Sequence, residues 1–370
     1  MIAISFVLVF FISCFIYKRN YDYFKPLEYT SPETSKKVSV HSLYPEFAAQ
    51  GDLSFFRILI GYLTIAFPKL LINIFFAAMQ NIQLKKYMKS LKNLSSDPEE
   101  WKLVSKTISL WTSLFLKVNG IKIKKLDLPY EEIYRKYLGE DYSFNPDEKY
   151  SLLISNHTGF YDVIINMAIH SSGFMAKTDT KNYPFVGEIA QGINCLFVNR
   201  KSEADRAKVF KQLEEKQKNF YEGKDLAPLM LFPEGTTTNG KYLLKFKKGA
   251  FYSLLPIKPQ VLLIDDNINY SIACGVSSAA FNYFRSLCYF GCDIGLCELP
   301  VIKPTEFMFE HYSDLGKEKW EIFAEVTRKI MCEISGLKPS DKNYRNIIYY
   351  EKSLYKGVYK DESKVLIPKE

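Results

Sequence analysis

A histidine and an aspartate five positions apart, His157 and Asp162, are the residues whose types and spacing best suit proton transfer. They lie in SLLISNHTGFYDVI, residues 151–164, where an apolar run meets a glycine-containing turn. A carboxylate beside an imidazole fixes the ring tautomer and stabilises the protonated ring, which leaves the second nitrogen free to act as a base. The stretch indicates no serine or cysteine nucleophile, so this base would act on a hydroxyl of a bound molecule.

The spacing alone is weakly specific, because His41 and Glu46 repeat it in a polar stretch where we assign it no role. The alternative for His157 and Asp162 is therefore structural, with the histidine at a strand end and the aspartate in the following turn. A serine hydrolase is disfavoured, because the chain contains no Gly-x-Ser-x-Gly nucleophile elbow.

A second polar stretch, LFPEGTTTNG at residues 231–240, also follows an apolar run. Both stretches would lie at the carboxyl ends of strands, where ligands bind in open α/β sheets. Gly235 allows close approach of the backbone to a ligand. Four lysines follow, for which a solvated loop is the alternative interpretation: Lys241, Lys245, Lys247 and Lys248.

The elements that must position these residues are short apolar runs alternating with amphipathic stretches, a pattern typical of an α/β domain. Helical spacing of apolar residues occurs over residues 202–222 and again from Trp320 to Ile334. We therefore predict a mixed sheet flanked by helices. The runs that we interpret as buried strands are residues 151–155, 173–177, 195–199, 228–232 and 261–264.

The amino-terminal part of the chain predicts membrane association. Residues 1–17 carry no charge and are followed by Lys18 and Arg19. This pattern predicts an uncleaved transmembrane anchor over residues 1–19, with the downstream chain on the cytosolic side. Residues 20–52 are polar and proline-containing, and we interpret them as a linker.

A second apolar stretch, residues 53–80, has Pro68 and Lys69 near its middle. Because a charge at mid-depth of a bilayer is costly, we predict a proline-broken hairpin in one leaflet or a helix pair docked on the membrane. An ordinary second membrane span is the alternative. Residues 101–118 are predicted as a further interfacial helix, so that membrane-associated helices fill residues 53–118. A catalytic domain at 119–337 and a charged extension at 338–370 complete the predicted organisation.

Composition narrows the classes of partner. The 49 Lys and Arg residues exceed the 41 Asp and Glu residues by 8, which suits an anionic membrane surface or a phosphate-bearing ligand. The chain has no dense basic and aromatic module, so nucleic-acid binding is not predicted. Seven scattered cysteines without a CxxC pair predict neither a metal site nor a disulfide framework.

Four blocks of sequence, in order, resemble the glycerolipid acyltransferase family, the membrane-bound acyl-CoA:lysophospholipid acyltransferases. The first, residues 156–162, is similar to the family's His-x4-Asp block. The second, residues 192–200, ends in an arginine, and the third is Phe-Pro-Glu-Gly-Thr at 232–236. The fourth is the apolar-proline block at 255–259. The resemblance covers roughly residues 120–330.

The resemblance implies an O-acyltransferase in which His157 is the catalytic base and Asp162 orients it. The enzyme would move a fatty acyl chain from acyl-CoA, a co-substrate, to the free hydroxyl of a lysophospholipid, without a cofactor or metal. Backbone amides at the start of the following helix are candidates to hold the oxyanion. The expected location is the endoplasmic reticulum membrane, with the catalytic domain facing the cytosol. The residues expected to bind the acceptor are Asn156, Arg200, Glu234, Gly235, Thr236 and Thr237. Those expected to contact phosphates of CoA or of the bilayer are Lys177, Lys241, Lys245, Lys247 and Lys248.

One departure from the family pattern bears on the acceptor. Many members that act on lysophosphatidic acid or glycerol phosphate carry arginine after Glu-Gly-Thr, whereas this chain has Thr237. The missing arginine removes a bidentate phosphate fork, so the chain looks more like the branch that acylates lysophosphatidylcholine or lysophosphatidylethanolamine. A lysophosphatidic acid acyltransferase is the alternative, and an inactive membrane-tethered lipid-binding protein is an alternative of another class. Residues 338–370 contain no EF-hand loop, so calcium control is not predicted.

We predict that Thr237→Arg shifts acceptor preference toward lysophosphatidic acid. A guanidinium would supply planar donors to a phosphate monoester, and a well-placed charge-assisted bond contributes about 1.5–3 kcal/mol. That energy corresponds to a change of roughly tenfold or more in selectivity. The measurement is the ratio of kcat/KM for lysophosphatidic acid and lysophosphatidylcholine at fixed acyl-CoA. A flat ratio in an active variant would mean that position 237 does not read the head group.

Overall fold

The computed structural model describes residues 11, 14, 28–30, 37–39, 46–47, 60–88, 97–182, 186–193, 195–198, 203–264, 273, 279–347 and 350. The anchor predicted at 1–19 and most of the linker predicted at 20–52 lie outside this part of the chain.

The strands and helices of the described residues alternate along most of the chain. The strands are β1 (Glu28–Thr30), β2 (Lys37–Ser39), β3 (Ile121–Lys125), β4 (Leu152–Ser155), β5 (Gly173–Lys177), β6 (Leu196–Val198), β7 (Leu229–Leu231), β8 (Tyr242–Leu243), β9 (Ile257–Ile264), β10 (Cys292–Glu298) and β11 (Lys338–Pro339). The α-helices are α1 (Phe67–Met88), α2 (Pro98–Val118), α3 (Glu131–Leu138), α4 (Phe160–His170), α5 (Val186–Gly192), α6 (Glu203–Tyr221), α7 (Ala279–Leu287), α8 (Glu306–His311) and α9 (Lys319–Ser335).

A seven-stranded mixed sheet in the order β3-β10-β9-β4-β7-β5-β6 forms the centre of the protein. The five strands from β9 to β6 run parallel to one another, and β10 reverses direction against β9. Both β4 and β7 are buried at every position, as expected for parallel strands covered on both faces. The predicted α/β class, a mixed sheet flanked by helices, is confirmed.

Helices cover the two faces of this sheet because successive strand residues point to opposite sides. Leu152 and Ile154 belong to a core cluster that includes Phe323 of α9. Leu153, between them, belongs to a different cluster that includes Met167 of α4. The sheet edge beyond the carboxyl end of β4 is thus held between two packed layers.

The apolar stretch near the amino terminus does not fold as the predicted hairpin. A π-helical turn, Tyr62–Ala66, runs directly into α1, so residues 62–88 form one continuous helical stretch through Pro68. The wider π turn accommodates the proline ring, which clashes with a preceding carbonyl in a regular α-helix. The Lys69 side chain donates to the carbonyl of Tyr289 at 2.6 Å, which places the charge against the catalytic domain.

Helices α1 and α2 pack against each other and against the sheet. The Trp111 ring nitrogen donates to Gln83 at 2.8 Å, and Asn73 of α1 bonds to Asn119, directly after α2. Thr64–Tyr87 is long and apolar enough to cross a membrane by length and composition, and no second such helix occurs in the described ranges. The large apolar side chains that these two helices expose are Leu71, Ile72, Ile74, Phe75, Ile82, Leu103 and Leu110.

The packed domain continues beyond α9, past the boundary predicted at residue 337. Strand β11 pairs in parallel with β8, and Arg328 of α9 donates to the carbonyls of Leu243 and Ser340, each at 3.1 Å. The predicted extension therefore cannot begin at 338, because residues 338–347 are held by the domain. Residues 351–370 lie outside the described part.

We predict that a chain lacking residues 1–19 stays on membranes at physiological salt. Each large apolar side chain that leaves water contributes about 1.5–3 kcal/mol, and the exposed side chains of α1 and α2 add together. The measurement is flotation with liposomes. Ile74→Glu and Phe75→Glu in the truncated chain should release it. Clean partition of the truncated chain itself into the soluble fraction would contradict the prediction.

Candidate active site

Two parallel neighbouring strands bring the two polar stretches of the sequence together. Ile154 of β4 lies opposite Leu231 of β7, and each strand continues past its carboxyl end into a polar turn. The backbone N–H of His157 donates to Glu234 Oε1 at 2.9 Å, and the N–H of Thr238 donates to the carbonyl of His157 at 2.8 Å. The stretches therefore meet at one sheet edge, as the strand-end argument requires.

His157 and Asp162 form a hydrogen-bonded pair. His157 Nδ1 lies 2.9 Å from Asp162 Oδ2, and the side chains are 21% and 1% exposed. The same carboxylate accepts from the backbone N–H groups of Thr158 and Gly159 and, at 2.6 Å, from the Thr158 hydroxyl. An ionised carboxylate only accepts, so Nδ1 of His157 carries its hydrogen and Nε2 presents a lone pair.

Helix α4 positions the aspartate. Asp162 lies in its first turn, where the unpaired N–H groups at a helix start favour a negative charge. Because the chain turns at Gly159 just before the helix, the carboxylate reaches back to the residue that carries the base. The five-residue spacing noted in the sequence is the separation that this turn requires.

Aromatic stacking fixes the plane of the histidine ring. The ring centroids of His157 and Phe232 are 4.0 Å apart with an interplanar angle of 12°, and Phe232 is in turn stacked near Phe174. Rotation of the imidazole is limited by Asp162 and tilting by Phe232. The base is therefore oriented before any substrate binds, which lowers the entropic cost of reaching the reactive geometry.

Asn156, which was predicted to bind the acceptor, is bonded to the backbone of β9. Its side chain is completely buried, donates to the carbonyl of Leu262 at 2.9 Å and accepts from the N–H of Leu262 at 2.8 Å. The amide thus continues the pairing between β4 and β9 past the end of β4. Its role is to anchor the strand end that carries His157.

Glu234, which was predicted to bind the acceptor, is also a structural anchor. The residue is completely buried, and its two oxygens accept from the backbone N–H groups of His157 and Leu244, each at 2.9 Å. Burial raises the pKa of this carboxyl to about 8, against the effect of the two donated bonds. Glu234 therefore joins the backbone of His157 to the loop before Lys245.

The turn that follows Glu234, residues 235–237, is partly exposed. Gly235 has φ +70°, a backbone conformation in which any other side chain would be strained, and a Cβ there would lie 2.1 Å from Nζ of Lys247. Thr236 and Thr237 are half-buried and remain candidates for acceptor contact. Thr238 is completely buried and serves the backbone of His157 instead.

The structure separates the four lysines after residue 240. Lys247 lies over the turn at Gly235, whereas Lys241 is exposed at the surface. Lys245 is exposed and lies 3.9 Å from Asp341, and Lys248 lies 3.5 Å from Glu318. The contacts predicted for two other residues, Arg200 and Lys177, stay predictions, because Arg200 and the side chain of Lys177 lie outside the described part of the chain.

Sequence reasoning missed three residues of the site: Phe232, Glu46 and Tyr344. The Glu46 carbonyl accepts from the N–H of Asn239 at 2.8 Å, and its carboxylate accepts from Ser340 at 2.7 Å. The Tyr344 ring lies 3.5 Å from Nζ of Lys247. No local signal identifies Glu46 or Tyr344, because each contacts residues roughly a hundred or more positions away. Phe232 was visible as the last apolar residue before the second polar turn. Within the described ranges, no group of three or more His, Cys, Asp or Glu is placed to hold a metal ion.

The fold and the site define an α/β protein with a preoriented His–Asp base beyond the carboxyl ends of parallel strands. Residues 136–262 match the family model described as Acyltransferase. Over these residues the chain is similar to that family.

Several curated proteins are similar to this chain. Lysophospholipid acyltransferase LPEAT1 of Arabidopsis thaliana is 31% identical over 201 residues, which are 53% of this chain and 48% of that protein. Lysophospholipid acyltransferase LPEAT2 of the same plant is 33% identical over 42% of this chain and 28% of its own length. Lysophosphatidylcholine acyltransferase 1 of Homo sapiens is 26% identical over 54% of this chain and 36% of its own length. The chain thus spans less than half the length of each of these relatives.

One solved structure covers most of the chain. It is the crystal structure of a 1-acyl-sn-glycerophosphate (LPA) acyltransferase from Thermotoga maritima, with a TM-score of 0.47 and 16% identity. The alignment covers 74% of this chain and 99% of that one.

We predict that Glu234→Gln lowers kcat strongly and changes the KM for the acceptor little. A glutamine retains one acceptor and turns an amide N–H₂ toward the other backbone donor, and an unsatisfied buried group costs about 1–3 kcal/mol. The displaced group is the backbone of His157, so the loss falls on the oriented base. A large rise in the acceptor KM with unchanged kcat would instead place Glu234 against substrate.

The same variant should change how stability depends on pH. The folded-state pKa of about 8 is raised above the ordinary 4.5, so the stabilisation is fully present below pH 4.5 and is lost as pH rises toward 8. Glu234→Gln cannot titrate and should lose less stability across this window. The measurement is Tm against pH, with the exposed Glu310→Gln as the matched control. Parallel curves for wild type and Glu234→Gln would contradict the raised pKa.

Proposed function

We propose that the protein is an acyl-CoA-dependent O-acyltransferase that transfers a fatty acyl chain to the free hydroxyl of a lysophospholipid. The observation that carries the proposal is the 2.9 Å contact between His157 Nδ1 and the buried Asp162 carboxylate, which leaves Nε2 as the base. The site lies inside the part of the chain that matches the acyltransferase family. The presence of both residues argues against an inactive lipid-binding protein.

The chemical steps follow from the orientation of the ring. Nε2 of His157 accepts the proton of the acceptor hydroxyl while Asp162 stabilises the imidazolium. The hydroxyl oxygen attacks the thioester carbonyl, the new C–O bond forms and the C–S bond breaks. CoA leaves as a thiolate and takes the proton from the imidazolium, so the base is regenerated without an acyl-enzyme.

Two of the amides at the helix start that were expected as oxyanion donors are already engaged. The N–H groups of Thr158 and Gly159 at the start of α4 already donate to Asp162. They orient the base and are not available to the carbonyl oxygen of the thioester. The oxyanion must therefore be held by donors other than these two amides.

The proposed acceptors are lysophosphatidylcholine and lysophosphatidylethanolamine. Thr237 in place of arginine supports a phosphodiester over a phosphate monoester. The names of the similar plant and human proteins, lysophospholipid and lysophosphatidylcholine acyltransferases, support the same class. Lysophosphatidic acid is the alternative acceptor, which the Thr237→Arg comparison separates.

The proposed location is the cytosolic face of the endoplasmic reticulum membrane. The exposed apolar side chains of α1 and α2 would enter the bilayer, while the sheet edge that carries His157 faces water, where CoA is found. Both acyl-chain substrates are concentrated at that interface. A domain docked on the membrane through α1 and α2 reaches both of them without leaving the surface.

We predict that His157→Ala lowers kcat by about 10²–10⁴-fold, the usual effect of removing a general base. The assay is transfer of a labelled acyl group from acyl-CoA to a panel of lysophospholipids. His311→Ala, at an exposed histidine of α8, is the matched control and should keep wild-type activity. Thermal unfolding and liposome binding check that His157→Ala remains folded and membrane-bound. Activity within a few-fold of wild type would rule out the assignment.

A further inference from the structure

We propose that Lys247, held in place by Tyr344, is the cation that binds the phosphodiester of the lysophospholipid. The inference rests on the proposed function and specifies the acceptor side of the same site. It selects one lysine from the four that follow the Glu-Gly-Thr turn.

The position of Lys247 is fixed by its own backbone. Its N–H donates at 2.9 Å to the carbonyl of Pro233, the residue before Glu234. Its ammonium lies so close to Gly235 that a Cβ on the glycine would be 2.1 Å from Nζ. Pro233 is followed directly by Glu234, which binds the backbone N–H of His157, so the backbones of Lys247 and His157 are bonded to adjacent residues of one turn.

Tyr344 holds the ammonium from the other side. Nζ of Lys247 lies 3.5 Å from the centre of the tyrosine ring, a cation–π contact. Hydrogen bonds within residues 343–346 shape the turn that presents this ring, and the N–H of Lys245 donates to the carbonyl of Lys342 at 3.0 Å. A long and flexible side chain is thereby restricted to one direction, which reduces the entropy lost when it binds an anion.

The chemistry of the turn favours a phosphate ligand. Glu234, the carboxylate in this turn, is buried with both oxygens bound to backbone N–H groups. Position 237 carries threonine, so the planar phosphate fork of related sequences is missing. A lysine ammonium is a compact point charge that suits a singly charged phosphodiester, which does not require bidentate recognition.

The neighbouring lysines provide matched controls. Lys245, two positions earlier, is exposed and lies 3.9 Å from the exposed Asp341. A surface pair of this kind contributes little to stability. Lys245→Met therefore removes the same charge and the same donor from the same loop, without touching the turn at Gly235.

The test compares Lys247→Met, which keeps the aliphatic stem, with Lys247→Arg and Lys245→Met. The KM for lysophosphatidylcholine should rise about tenfold or more in Lys247→Met, with kcat within a few-fold of wild type. The KM for acyl-CoA should stay the same, and Lys247→Arg should restore most of the affinity. Tyr344→Ala should raise the acceptor KM by a smaller factor, and Tyr344→Phe should not.

Dephospho-acyl-CoA, which lacks the 3′-phosphate of CoA, distinguishes the two sources of phosphate. If Lys247→Met raises the KM for acyl-CoA but not for its dephospho form, Lys247 binds the CoA phosphate and the acceptor assignment is overturned. Unchanged KM values for both substrates would overturn the proposal altogether.

Equilibrium binding separates this inference from the proposed function. Wild type should bind lysophosphatidylcholine micelles more tightly than micelles containing monoacylglycerol, which has no phosphate, and Lys247→Met should abolish the difference. If wild type and Lys247→Met prefer lysophosphatidylcholine micelles over monoacylglycerol micelles to the same degree, the role of Lys247 is overturned, whether or not acyl transfer occurs. Absence of acyl transfer in wild type, with the binding difference intact, would reject only the proposed reaction.

Discussion

Two buried carboxyl groups hold His157, and the rest of the site depends on them. Asp162 binds the ring of His157, and Glu234 binds its backbone N–H. A buried carboxylate is costly unless its oxygens are hydrogen-bonded, and here most of the donors are backbone N–H groups. The loops after β4 and β7 must therefore keep their conformations for both carboxylates to stay satisfied. The orientation of the His157 ring thus depends on the conformation of these two loops.

The sheet supplies the fixed frame for that constraint. Parallel pairing of β4 with β7 brings the two polar turns to one edge, and Asn156 ties the end of β4 to Leu262 of β9. Strand β4 is therefore paired with β7 on one side and, through Asn156, tied to β9 on the other, just before His157. Packing of α4 on one face places Asp162 in the first helical turn, where it reaches back to His157. Small displacements of either strand would misplace the imidazole, which is why rigid elements carry the site.

The sequence alone was sufficient for the α/β class, because apolar runs of strand length predict the sheet. The choice of His157 and Asp162 depended on four ordered blocks, because the same spacing also occurs at His41 and Glu46. The catalytic role of the pair stays a prediction. The contacts of Asn156 and Glu234 could not be predicted, because their partners are backbone groups of distant residues, Leu262 and Leu244. The continuous helix through Pro68 was missed for another reason, since a preceding π turn removes the usual clash of a proline.

Segments outside the matched family region complete the site. Glu46 binds the N–H of Asn239, Ser340 and Lys342 bind the carboxylate of Glu46, and Tyr344 holds Lys247. These contacts all converge on the loop between Thr238 and Lys247, whose first residue is bonded to the carbonyl of His157. The matched region, residues 136–262, contains the base but not the residues that orient this loop. The conformation of this loop therefore depends on the flanking segments as much as on the matched region.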